Sequence, residues 1–251
     1  MRDFTEAVIL ITGAASGIGA AAASLLAARG ARKLILADLN EDQLADFAFS
    51  LPCERQLLIG DVADENLWAE ADLTGLTHAL VNAGIGAGGP IDECSFADWR
   101  RVLSVNLDGA FLTLQAAMRA MRGNGGAIVL TASVAGVKAE PGMAAYGASK
   151  AAVIHLARIA AKEGAAKGIR VNSIAPGGVE TPIWHSVPMF ADMAETMGSE
   201  AAAFKAMAEA ATPLGRFARP EEIAAQIAFL LSEPAAFVTG SCLVSDGGYS
   251  L

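Results

Sequence analysis

Short apolar runs alternate with alanine-rich stretches along the whole chain. Residues 7–12 (AVILIT), 33–38 (KLILAD), 56–60, 77–82 (THALVN), 126–132 (GAIVLTA), 169–175 (IRVNSIA) and 242–245 (CLVS) read as strands. Their apolar positions are continuous rather than alternating, the pattern of parallel strands buried on both faces. Residues 19–29, after the first run, carry a helical pattern, and helical stretches recur between the later ones. The alternation predicts an α/β fold: a Rossmann-type doubly wound parallel sheet of about seven strands with helices on both faces. No linker-like composition shift and no solenoid period interrupts it, so residues 1–251 are expected to form a single domain. The one long irregular stretch, 181–213, separates the last two strands and is expected to be a functional insertion.

Charge and cysteine usage narrow the function classes. A formal net charge of -9 argues against nucleic acid or an anionic membrane as partner. No apolar run reaches the roughly 20 residues of a membrane span, and no signal-like segment opens the chain. Cys53, Cys94 and Cys242 are scattered and odd in number, which suits free thiols in a reducing, cytoplasmic setting. His78, His155 and His185 are isolated, so no metal site is expected.

Chemistry enters at the first strand–helix junction. Gly13, Gly17 and Gly19 lie in a GxxxGxG loop with Ser16 and Ile18 among them. Glycines there let the backbone turn tightly and approach a pyrophosphate, whose charge the helix N-terminal amides meet. Asp38 ends the second strand about 20 residues on, where an acid accepts hydrogen bonds from an adenosine ribose. Its charge would repel a 2′-phosphate by about 2 kcal/mol in water and up to about 8 in a protein-like dielectric. No basic residue lies beside it as an offset. NAD is therefore the cofactor predicted, rather than NADP.

Tyr146 and Lys150 stand four apart, on one face of a predicted helix. Hydride exchange with a carbonyl needs a group that trades the hydroxyl proton, and a tyrosine of pKa ~10 is a poor base near neutrality. An ammonium at ~4 Å supplies about 4 kcal/mol in an effective dielectric of ~20, enough to lower that pKa by roughly three units. Ser133 follows the fifth strand at its carboxyl end, the ligand side of an open α/β sheet. Its hydroxyl is placed to hydrogen-bond a substrate oxygen.

With these segments in order, the chain resembles the short-chain dehydrogenase/reductase family along its whole length. The matching pieces are residues 12–19, Asp61-Val62, Asn82-Ala83-Gly84, Asn106, Ser133, Tyr146 to Lys150, Pro176-Gly177 with Thr181, and Asp246-Gly-Gly248. The resemblance implies that Tyr146 is the general acid/base and that Ser133 orients the substrate oxygen. It implies that Lys150 also binds the nicotinamide ribose, and that Asn106 holds a water in a proton relay. Asp61 and Val62 would hold the adenine, and Asn82, Ala83 and Gly84 would line the ribose. Thr181, with the backbone of Pro176, Gly177 and Val179, would grip the carboxamide; transfer would use the 4-pro-S face. Two features depart from the family. Val81 stands where an asparagine is usual, so one sheet-supporting hydrogen bond is expected to be missing. Residues 61–82 are shorter than is common, which shortens the helix on the adenine side.

Four of the eight methionines fall within residues 189–207, beside Trp184, Phe190 and Phe204. In the family this region covers the substrate, and methionine and aromatic side chains build an adaptable apolar wall. Trp184, Met189, Phe190 and Met193 are the expected substrate contacts, together with Ser133 and Tyr146. The region holds no arginine, and Lys205 is its one lysine, so a phosphate- or carboxylate-bearing substrate is disfavoured. The expectation is an apolar secondary alcohol or ketone, cyclic, aryl or steroid-like. Met189, Met193 and Met197 also share one helix face, which packing on the core would equally explain. A 3-oxoacyl thioester reductase, a sugar or polyol dehydrogenase and a non-catalytic dinucleotide sensor are the alternatives. The resemblance further implies a homotetramer or homodimer, built on helices 103–121 and 145–166.

Overall fold

The computed structural model describes residues 3–86 and 88–251. Its centre is one parallel sheet of β1 (Val8–Thr12), β2 (Lys33–Asp38), β3 (Glu54–Ile59), β4 (His78–Val81), β5 (Gly126–Thr131), β6 (Ile169–Pro176) and β7 (Cys242–Ser245). The strand order is β3-β2-β1-β4-β5-β6-β7. Each strand predicted from the apolar runs is present, β3 beginning two residues earlier than its run. The order reverses between β1 and β4, and the crevice outside their carboxyl ends is where open α/β sheets take ligands.

Both faces of the sheet are covered, which explains the continuous apolar runs. Ile9 and Ile11 of β1 and Val129 of β5 pack under α1 (Gly17–Ala28), α2 (Glu41–Phe49) and, beyond the site, the helix Pro220–Leu231. Val8, Leu10, Ile128 and Leu130 face the other way. They meet the helices Gly109–Ala120 and Ala144–Ala165. Leu10 and Ile11 have no exposed area at all. Burying a side chain of that size contributes about 1.5–3 kcal/mol.

The helix in the shortened segment 61–82 is brief: α3 (Glu65–Glu70) has six residues. Trp68 anchors it, its indole N–H donating to the Val62 carbonyl at 2.8 Å. The helix expected over 103–121 is instead α4 (Phe96–Leu103) and α5 (Gly109–Ala120), joined by a π-helical turn, Ser104–Asp108. A Cβ on Gly109 would lie 2.5 Å from Val62 Cγ2, so α5 begins where only glycine fits against β3's exit. The remaining helices are α6 (Ala144–Ala165), α7 (Pro188–Met197), α8 (Glu200–Ala211) and α9 (Pro220–Leu231). Residues 181–213 are thus largely helical rather than irregular. Among the described residues, no helix is long and apolar enough to cross a membrane, and no cluster could hold a metal ion.

Candidate active site

The glycine loop closes on itself tightly. A Cβ on Gly19 would sit 2.0 Å from the Gly13 carbonyl oxygen, and one on Gly13 would sit 3.0 Å from Ala83 Cα. Gly13 and Gly17 have φ of 64° and 53°, a region costly for any residue with a Cβ. Ser16 is the N-cap of α1 yet makes no side-chain cap bond. The first-turn amides, including those of Ile18 and Gly19, therefore keep the donor capacity that binds anions at helix N-termini. On the far side, Thr181 Cγ2 would lie 3.2 Å from a Cβ on Gly17, so Thr181 brackets the crevice from the end of β6.

Thr12 and Asn82 hold this loop to β4. The Thr12 hydroxyl accepts the amides of Asn82 (2.9 Å) and Ala83 (3.1 Å). The Asn82 side chain donates to the carbonyls of Thr12 (3.0 Å) and Gly13 (3.3 Å). Val81 is buried in the sheet and packs with the α5–α6 core. The departure from the family at that position thus exchanges a polar contact for core packing, while Asn82 carries the loop. Asp38 Oδ2 accepts the Ala15 amide at 2.9 Å and Oδ1 that of Asn40 at 3.1 Å. Asp61 Oδ1 accepts the Ala63 amide, and Val62 is buried against Gly109. Gly13, Gly17 and Gly19 thus leave a stretch bare of side chains beside Asp38 at the end of β2, which fits a dinucleotide.

Ser133 stands just beyond β5 and Tyr146 in the first turn of α6. The Ser133 hydroxyl accepts the Ala135 amide at 3.2 Å and lies beside the Tyr146 phenol, whose pKa it lowers. Lys150, 4% exposed, donates from Nζ to the Thr131 carbonyl at 3.0 Å. Burial lowers the Lys150 pKa to about 8. Its Nζ lies 5.7 Å from the Tyr146 ring centroid. Burial raises the Tyr146 pKa, and the Ser133 bond opposes it. The lowered phenol pKa expected from Lys150 is therefore not produced by the side chains alone, and further positive charge is needed.

Asn106 sits in the π-helical turn, a geometry that recurs at functional positions. Its Oδ1 accepts the Ile85 amide at 2.8 Å, and Nδ2 donates to the Ile85 carbonyl at 3.0 Å and to Ser149 Oγ at 3.2 Å. Ser149 donates in turn to the Tyr146 carbonyl at 2.7 Å. Ser149 escaped the sequence reading, although its place directly before Lys150 on a buried helix face was a usable signal. Gly84 completes the group: a Cβ there would be 3.2 Å from Lys150 Nζ and 3.3 Å from Asn106 Oδ1.

The expected substrate residues separate. Trp184 stacks on Phe217, ring centroids 5.4 Å apart, and its indole donates to the Val179 carbonyl at 2.8 Å. Phe190 is 1% exposed and packs on Phe204 at 4.6 Å. It serves the aromatic cluster rather than an open wall. Met189 and Met197 are exposed and Met193 is half-buried, so that helix face is not committed to the core. Pro176, Gly177 and Val179 form the exit of β6, and the Thr181 hydroxyl donates to the Val179 carbonyl at 3.4 Å.

Comparison with known proteins agrees with this geometry. The family model described as "Enoyl-(Acyl carrier protein) reductase" matches residues 13–250. The cis-4-hydroxycyclohexanecarboxylate dehydrogenase of Sinomonas cyclohexanicum is 41% identical, covering 98% of both chains. The D-threitol dehydrogenase of Mycolicibacterium smegmatis is also 41% identical, over 97% of this chain and 93% of its own. The crystal structure of levodione reductase superposes with a TM-score of 0.87 at 34% identity, covering 98% of each chain. The chain belongs to the short-chain dehydrogenase/reductase family. It is an oxidoreductase that uses a nicotinamide dinucleotide.

Proposed function

We propose that the protein is an NAD(H)-dependent dehydrogenase that interconverts an apolar cyclic secondary alcohol and its ketone. The observation that carries the chemistry is the Tyr146 phenol beside the Ser133 hydroxyl at the carboxyl end of β5, with the buried Lys150 Nζ held on the Thr131 carbonyl one helical turn along. In this reading the substrate oxygen lies between the Ser133 and Tyr146 hydroxyls, and Tyr146 exchanges its proton. A bound nicotinamide would supply the hydride transfer, and its oxidised ring would add positive charge near the half-buried phenol. Lys150, with a pKa of about 8, keeps its ammonium at neutral pH and favours the phenolate. Asn106 Oδ1 and Lys150 Nζ both lie against Gly84, which supports their acting together in a proton relay.

NAD is favoured because the Asp38 carboxylate, fixed by two backbone amides at the end of β2 beside the glycine loop, would repel a 2′-phosphate bound there. Residues 181–213 act as a substrate lid within a single domain. Trp184, Met189 and Met193 supply its apolar side, and the name of the hydroxycyclohexanecarboxylate relative supports a ring-shaped substrate. The threitol relative keeps a polyol as the second reading. A homotetramer or homodimer is supported by Phe111 on α5 and Ile159 on α6, 46% and 44% exposed. They border a groove of about 290 Å³ between the two helices.

Initial rates with NADH and NADPH against cyclic, aryl, sugar-like and acyl-thioester ketones test the proposal. NADH preference with a cyclic ketone is expected. NADPH preference would overturn the cofactor assignment, and activity confined to sugar-like ketones would replace the apolar substrate by the polyol.

A further inference from the structure

The C-terminal segment 246–251 touches three parts of the molecule that the site depends on. A Cβ on Gly177 would lie 2.8 Å from Asp246 Cα, so the segment starts against the exit of β6. The Leu214 amide donates to the Gly247 carbonyl at 3.1 Å. A Cβ on Gly247 would fall 2.6 Å from Thr212 Cγ2, which binds the segment to the far end of the lid. Finally, Lys138 Nζ donates to the Tyr249 carbonyl at 3.1 Å and lies 4.1 Å from the centre of the Tyr249 ring. Lys138 also pairs with Glu140 at 3.2 Å, and the Glu140 carboxylate lies near enough to the Tyr249 phenol for each to shift the other's pKa.

Lys138 and Glu140 belong to the loop that joins Ser133 to Tyr146. We propose that Lys138, Glu140 and Tyr249 form a positioning clamp, through which the C-terminal segment fixes this loop and hence the alignment of Ser133 with Tyr146. This rests on the roles given to those two residues above. The inner end of the loop is already fixed by close backbone packing. A Cβ on Gly136 would sit 2.6 Å from the Ala151 amide nitrogen, and one on Gly147 would sit 2.9 Å from the Ala135 carbonyl oxygen. The outer end has the clamp instead.

A lone surface ion pair would hold such a loop weakly. Here the carboxylate meets both an ammonium and a phenol, and the ammonium also has a ring and a carbonyl, so the contacts form a network. The segment itself is stiff, because the Asp246 carboxylate accepts the amides of Gly248 (2.9 Å) and Ser250 (2.8 Å). Burial and the Glu140 carboxylate push the Tyr249 pKa to about 12. Hydrogen bonds from Tyr249 and Lys138 hold Glu140 below the usual carboxylate range. Glu140 therefore stays ionised and the Tyr249 phenol stays protonated at neutral and mildly alkaline pH.

The test compares wild type with Tyr249→Phe, which keeps the ring under Lys138, and Glu140→Gln, which keeps an acceptor for the phenol. Amide hydrogen exchange over residues 136–143, kcat, and the NADH dissociation constant are measured on the full-length protein. Tyr249→Phe is expected to speed exchange in that loop and to lower kcat about tenfold, with NADH binding within about twofold of wild type. Glu140→Gln should fall between it and wild type. Unchanged exchange and kcat in both variants would overturn the clamp, as would a loss of kcat matched by faster exchange throughout the protein. If wild type turns over no alcohol offered, the dehydrogenase reading fails, and loop exchange still decides whether the clamp exists.

Discussion

The carboxylate of Asp38 accepts the backbone N–H of Ala15 at 2.9 Å, joining the end of β2 to the glycine loop. The acid is therefore not a freely turning surface group, and its charge is held at one point beside the crevice. Replacing it removes repulsion of about 2 kcal/mol or more toward a 2′-phosphate. Asp38→Ser should narrow the preference of kcat/KM for NADH over NADPH by more than tenfold. Unchanged preference would show that discrimination lies elsewhere.

Tyr146→Phe keeps the ring and its packing but removes the proton. Turnover should fall by a factor of about 10² to 10⁴, the usual weight of a general acid/base. NADH binding, followed by fluorescence, should persist, since the glycine cradle is untouched. A variant that retains most of its activity would remove Tyr146 from the chemistry.

Gly109→Ala drives a methyl group to 2.5 Å from Val62 Cγ2. Overpacking of this kind costs about 1–3 kcal/mol. Urea unfolding should show that loss, and adding Val62→Ala should recover part of it, so the two changes are not additive. Additive losses would mean that the helix start relaxes away from Val62.

His78 stacks edge-on with Phe4 at 5.4 Å, and burial, helped by the Arg170 charge, lowers its pKa from 6.5 to about 4. The unfolded chain then binds more protons between those values. Stability should be complete above about pH 6.5, decline as the pH falls toward 4, and level off below it. The full drop from this group is about 3 kcal/mol at most. His78→Gln should flatten the slope of urea stability between pH 6.5 and 4; an equal slope in both proteins would assign it to other groups.

The fold was legible because burial on both faces leaves an unmistakable mark on parallel strands. Seven apolar runs became seven strands, and the glycine spacing located the crevice. The π-helical turn at Asn106 was not legible, because an extra residue in a helical turn hardly disturbs an apolar pattern. Phe190 was misplaced toward the substrate for a related reason: composition signals an apolar side chain but not which neighbour covers it. Lys138 and Tyr249 meet across distant segments, 111 residues apart. Nothing local marks such a pair.

The reversal of strand order at β1 and β4 also has a bearing on how the chain is made. Thr12 receives its two amide donors from Asn82 and Ala83, 70 and 71 residues later. At a synthesis rate of about 5–20 residues per second, the glycine loop waits several seconds on the ribosome before its support arrives. Until then β1 pairs only with β2, and its other edge is open to mispairing. The nucleotide crevice is thus assembled late by a distant strand, and nascent-chain lengths that stop short of β4 should be the ones most dependent on chaperones.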